Sequence, residues 1–195
     1  MIAFTEKEKT VIRCALKAQA RKCAASQGVR KTTVSELAQA ADISVGAFYN
    51  FYASKELLFF EVLEDLHEEI MSAANAALTE NASLPDAERA AKAVLAACRA
   101  LDESGMMGFM ERDVHHILRK IPTEVQDAHY HSDEKHIRDL LQAANLNPKG
   151  GMALAAAAIR GLMLTVSHRE DIGTLYPQVL ETLVRGACNE LFPEP

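Results

Sequence analysis

TTVSELAQAADISVGAFYNFYASKEL, residues 32–57, places two short helix signatures around a three-residue turn and follows them with a burst of rings: Phe48, Tyr49, Phe51 and Tyr52, with Asn50 among them. Thr33 with Glu36 three positions on has the spacing of a capping box. Val34, Leu37, Ala38 and Ala41 then recur as one apolar helical face. Asp42 can take the left-handed conformation that a sharp exit requires, although Gly would do so at lower cost. Ser44 is the natural N-cap of the next helix, whose interior runs over 45–51. Two short helices joined by Asp42-Ile43-Ser44 are the sequence image of a helix-turn-helix. Phe48 and Phe51, three apart, can pack on the neighbouring helices, which leaves Tyr49, Asn50 and Tyr52 pointing elsewhere. An exposed tyrosine beside a polar residue suits a phosphate backbone, where hydroxyl and amide donate and the ring lies along the sugar. A small aromatic core would explain both Phe and would leave Tyr49 unexplained.

Working outward, Thr5 and Glu8 form a second capping-box pattern opening a first helix. Its stripe is Ile12, Leu16 and Cys23, and Gly28 is its stop. Ser54 caps a fourth helix with Phe59, Val62, Leu63, Leu66 and Ile70 on one face. The run Thr33-x-x-Glu36-Leu37-Ala38-x-x-Ala41-Asp42-Ile43-Ser44-x-Gly46-x-x-Tyr49-x-Phe51-Tyr52-x-Ser54-Lys55-Glu56-Leu57 resembles the DNA-binding domain of the tetracycline-repressor (TetR) family of bacterial transcriptional regulators, over about residues 8–60. By that resemblance Thr33, Tyr49 and Lys55 match phosphate-holding positions. Ser44, Val45, Gly46, Ala47, Tyr49 and Asn50 fall on the recognition helix, with Val45, Ala47 and Asn50 placed to meet base edges or backbone. Gly46 allows close approach to a neighbouring helix or to DNA. The chain departs from the family at Asp42, where Gly is usual. It departs again at Val45, where a basic residue is frequent, so a thymine-methyl contact can replace a phosphate contact there.

The charge distribution agrees with this reading. The chain of 195 residues carries a net charge of −6, which by itself disfavours nucleic acid. Residues 1–55, however, hold nine Lys/Arg against four Asp/Glu, a balance of +5, and the remainder carries −11. A basic head on an acidic body is expected when one end meets phosphate. The longest apolar stretch, 152–166, contains Arg160 and is too short to span a bilayer, and no signal-peptide pattern opens the chain. A cytoplasmic protein without membrane association follows. The four cysteines, Cys14, Cys23, Cys98 and Cys188, lack metal-ligand spacing and read as buried reduced thiols.

An all-α protein is expected, with helices continuing over 54–80, 86–103, 106–119, 123–145, 148–168 and 175–192, about nine in all with the three of the head. The division is a helix-turn-helix domain over 1–53 and a helical effector-binding and dimerisation domain over 54–195. Residues 152–166 are apolar almost all round, which implies burial on two sides. With the last helix they fit a four-helix homodimer interface using Ala155, Ala158, Gly161, Leu162, Leu180, Leu183, Val184 and Ala187; the competing reading is burial within a monomer. Met106, Met107, Phe109, Met110 and Met163 can line an adaptable apolar pocket or serve as ordinary core. His129, Asp133 and His136, with His115 and His116 upstream, have metal-compatible spacing in a segment so charged that it reads as a solvated face. No metal or other cofactor is assigned, and no nucleophile or phosphate-loop motif supports an enzyme. The sequence thus points to a dimeric, ligand-responsive regulator, favouring a repressor released from double-stranded operator DNA by a small-molecule effector. The alternatives are a structural or activator role on the same fold and, more remotely, a His/Asp metal-dependent enzyme.

Overall fold

The computed structural model describes residues 4–193, excluding the side chains of 128–134. Every regular element among them is helical: α1 (Glu6–Ala25), α2 (Val34–Ala40), α3 (Val45–Phe48), α4 (Lys55–Glu80), α5 (Asp86–Glu103), α6 (Met107–Arg112), α7 (Val114–Leu118), α8 (Thr123–Ala143), α9 (Met152–Leu164), α10 (Arg169–Ile172) and α11 (Tyr176–Leu191). Short 3-10 turns at Thr165–His168 and Gly173–Leu175 flank α10. Where one helix was expected over 106–119, the chain breaks at Asp113 into α6 and α7. The start of α9 is delayed to Met152 because Gly150 and Gly151 hold φ of +84° and +88°.

Two compact units arise, and neither is a single run of chain. The first joins Met1–Leu66 to Gly105–Thr123, and the second joins His67–Ser104 to Glu124–Pro195. In the first, Leu16, Leu37, Phe48, Leu58, Phe59, Leu63, Leu66, Met106, Phe109 and Ile117 are fully buried, with the rings of Phe59 and Phe109 6.4 Å apart. Gly28 is demanded twice over. Its φ is +82°, and a Cβ there would stand 2.8 Å from Oδ2 of Asp113, a carboxylate only 4% exposed. In the second unit, the small residues Ala90, Ala91, Ala97 and Cys98 of α5 let that helix lie close against Leu180, Val184 and Cys188 of α11. Arg89 closes two helix ends there: Nε donates to the carbonyl of Leu78 at 3.0 Å and Nη1 to that of Ala144 at 2.8 Å, satisfying carbonyls left over at the ends of α4 and α8.

Two expectations need correction. Tyr52 does not point outward but is 6% exposed. Cys14 is exposed, while Cys23, Cys98 and Cys188 are buried. Residues 152–166 are covered on one side within the chain: Ala155, Ala156 and Ile159 are buried, while Leu154 and Leu164 remain 53% and 66% exposed. Burial pushes the Cys98 and Cys188 thiols up to about 11 and raises that of Cys23 as well. Access therefore favours Cys14. An aromatic disulfide reagent at pH 8 should modify one thiol per native chain promptly, and all four in guanidinium. Prompt modification of two or more in the native chain would contradict the burial described.

Candidate nucleic-acid interface

Each short helix of the head starts on a side-chain cap. Thr33 Oγ1 accepts the Glu36 amide at 3.2 Å and Ser44 Oγ accepts the Ala47 amide at 3.1 Å. The capping box at Thr5 is reciprocal, but the one expected at Thr33 is half made. Glu36 turns its carboxylate to Gln27 instead, whose Nε2 donates to both oxygens at 3.0 and 2.9 Å. This ties the start of α2 to the chain leaving α1. The turn between α2 and α3 is a Schellman motif: Ile43 N–H reaches Ala38 O at 3.0 Å and Asp42 N–H reaches Gln39 O at 3.2 Å. Asp42 sits in it at φ +52°.

These constraints aim one row of side chains outward. Thr33, Ser44, Val45, Gly46 and Asn50 are exposed, Ala47 is half-buried, and Tyr49 is 53% exposed with its ring edge against Phe48, 5.4 Å away. Phe48 beneath is fully buried. A Cβ on Gly46 would meet only Ser44 Oγ, at 3.9 Å, so no neighbouring helix demands that glycine. Lys55 is placed differently from a simple phosphate ligand. Its ammonium donates to the carbonyls of Val29 and Thr32 at 2.8 and 2.6 Å, which occupies two of its three protons. It clamps the loop that delivers Thr33 to the head of α2.

The basic balance of the head is likewise partly spent inside. Lys9 pairs with Glu6, and Lys17 pairs with Asp65 at 2.6 Å and Glu61 at 3.5 Å. Burial pulls the Lys17 ammonium down, yet Asp65 and Glu61 outweigh it and hold its pKa raised. Lys7, Lys22, Arg30 and Lys31 are exposed. Sequence reasoning had missed Glu61 and Arg13 as partners of the aromatic burst; their distance along the chain hides them.

Of the residues expected to line a pocket, Met106 and Phe109 are wholly buried and Met107 nearly so, whereas Met110 and Met163 keep some exposure. Met163 lies in the second unit and the other four in the first. Of the residues expected at an interface, Ala155, Leu180 and Val184 belong to the chain's own core. Ala158, Leu162 and Ala187 are half-buried, Gly161 is exposed and Leu183 is 45% exposed. Among the described residues no group of histidine, cysteine and acidic side chains could hold a metal ion, and no helix is long and apolar enough to cross a membrane. His129 and Asp133 lie outside the described side chains.

Exposure of Tyr49 separates its two readings by experiment. Tyr49→Phe should leave the unfolding free energy within about 0.5 kcal/mol, as expected at an exposed site, while weakening binding to all DNA sequences alike. Replacing Asn50 or Ala47 should change sequence preference, by about 1–3 kcal/mol per lost base contact. Equilibrium unfolding and anisotropy titrations measure the two. Unchanged affinity for every duplex with Tyr49→Phe would remove Tyr49 from the interface.

Residues 16–62 match the family model described as bacterial regulatory proteins, tetR family. No curated protein matches the chain. A structure described as a putative TetR-family transcriptional regulator from Mesorhizobium loti MAFF303099 superposes with a TM-score of 0.70 at 16% identity, over 95% of this chain and 96% of that one. A bacterial regulatory protein in the tetR family from Rhodococcus RHA1 gives 0.64 at 22% identity, over 98% and 100%. RolR in complex with resorcinol gives 0.57 at 20% identity, over 97% and 99%. The head of this chain is thus a TetR-family helix-turn-helix, and its all-α fold is that of TetR-family transcriptional regulators.

Proposed function

We propose that the chain is a dimeric, ligand-responsive regulator acting in the cytoplasm, a repressor released from double-stranded operator DNA by a small molecule. The supporting observation is the outward row Thr33, Ser44, Val45, Tyr49 and Asn50 on a doubly capped helix-turn-helix. Such a row offers hydroxyl, amide and apolar groups to a groove and to phosphate. In this reading residues 1–53 meet DNA, and 54–195 carry effector binding and dimerisation.

Dimerisation is supported by the uncovered apolar side chains Leu154, Leu164 and Leu183 on α9 and α11, with Gly161 and Ala158 small enough for close helix approach. Two heads on one dimer suit half-sites one helical turn apart, about 34–36 Å, which a single one-turn recognition helix cannot read with useful affinity. An effector is supported by the solved resorcinol complex of RolR, which shares the fold. Within the first unit, Met110 keeps exposed surface on the same helix as the buried Met107 and Phe109, an adaptable side chain for an apolar ligand.

Binding to a duplex from the chain's own upstream region should weaken steeply with salt. Each phosphate neutralised contributes about −0.9 to the slope of log K against log salt, so three or four contacts per protomer give roughly −5 to −7. A flat response would exclude the phosphate-binding head.

Release by an effector carries a thermodynamic condition. A ligand acts only through its different affinities for the DNA-competent state and the other state, so operator must weaken ligand binding by the same factor by which ligand weakens operator binding. Titrating each with and without saturating amounts of the other should return equal factors. Direct competition of the ligand at the basic head would exclude this mechanism.

A further inference from the structure

The recognition element is held from behind. After the single turn of α3, residues 50–52 continue on three backbone bonds: Asn50 N–H to Ala47 O at 3.0 Å, and Phe51 and Tyr52 N–H to Phe48 O at 2.9 and 3.1 Å. So short a helical segment has little stability of its own. Its last residue is anchored. The Tyr52 ring packs 6.0 Å from that of Phe48, and its hydroxyl donates to Oε2 of Glu61 on α4. The guanidinium of Arg13 on α1 lies 5.4 Å from the Tyr52 ring and 5.8 Å from that of Phe51, whose other neighbour is Phe4 at 5.8 Å. The second carboxylate oxygen of Glu61 faces Lys17, itself seated on Asp65. Burial first, and Glu61 second, raise the Tyr52 phenol far above its ordinary range, so it stays a proton donor.

Resting on the regulator reading above, we propose that Glu61 is a positioning residue for DNA recognition, acting through the Tyr52 hydroxyl to fix residues 50–52 and with them the base-reading side chain of Asn50. A carboxylate is repelled by phosphate, so Glu61 does not serve as a contact to the DNA backbone. This gives the proposal a sign that electrostatics alone does not. Removing a negative charge from a DNA-binding unit should tighten binding to every duplex. Removing an anchor should loosen binding to the preferred sequence alone, because base contacts need the segment held and phosphate contacts from Arg30 or Lys31 do not.

The test uses the full chain, a duplex that the wild-type protein selects from a random pool, and a scrambled duplex of equal length. Glu61→Ala should weaken the selected duplex about five- to tenfold, the size expected for a hydrogen bond to a charged acceptor that is partly solvated. The scrambled duplex should bind unchanged or slightly tighter, with the same salt slope. Glu61→Gln keeps an acceptor oxygen and should hold the selected duplex within about twofold of wild type. Tyr52→Phe should behave as Glu61→Ala does, and the double variant should add nothing, as for two residues acting through one contact. Without DNA, hydrogen exchange at the amides of Asn50, Phe51 and Tyr52 should accelerate in Glu61→Ala while α2 keeps its protection. Equal tightening on both duplexes would reduce Glu61 to a repulsive charge. Equal weakening on both, with protection lost throughout the unit, would make it a folding residue only; either result overturns the proposal, as does unchanged exchange at 50–52. A wild-type chain that selects no duplex refutes the regulator reading instead, and the exchange comparison still decides whether Glu61 anchors the segment.

Discussion

A helix of four residues cannot hold itself. α3 closes too few backbone bonds to offset the ordering of its own chain, so its geometry is imposed by what surrounds it. Phe48, fully buried, pins it from below. Ser44 satisfies an amide at its start, and the Schellman turn at Asp42 sets its angle to α2. Tyr52 finishes it against α4. With those four fixed, the outward residues have no freedom of backbone left, and Tyr49 and Asn50 are presented rather than searched for. Preorganisation of that kind lowers the ordering cost of recognition.

The charges of the head divide by task in a way their sum conceals. Lys17 and Lys55 face inward, one onto carboxylates of α4 and the other onto loop carbonyls. Arg13 lies over rings. These cations organise the unit. Lys7, Lys22, Arg30 and Lys31 are exposed to solvent and supply the field that an incoming polyanion would meet. The balance of +5 therefore overstates the charge available outside.

The return of α6 and α7 to the first unit enlarges the core that the head's own helices form. Phe109 stacks beside Phe59, and Met106 and Ile117 are fully buried. The contact of Asp113 with Gly28 brings the α6–α7 break directly onto the chain leaving α1.

What the sequence by itself determined is the set of features closed by near neighbours. The caps at Thr5, Thr33, Ser44 and Ser54, the left-handed Asp42, the stop at Gly28 and the apolar periodicities all rest on bonds or spacings within about five residues. Most of the helices beyond residue 54 were legible for the same reason, though not the break at Asp113 or the late start at Met152, and so was the exposure of Tyr49. Tertiary structure alone decided the rest. Tyr49 and Tyr52 are alike in the sequence, yet one is exposed and the other buried because Glu61 and Arg13 wait on other helices. Lys55 meets carbonyls 23 and 26 positions back along the chain, which no local pattern encodes. The assignment of α6 and α7 to the first unit depended on Phe109 finding Phe59 across fifty residues of chain. Local hydrogen bonds recur with the period of the helix and leave a trace in the spacing of residue types; contacts made by folding back the chain have no period, and their partners are named only when the core closes.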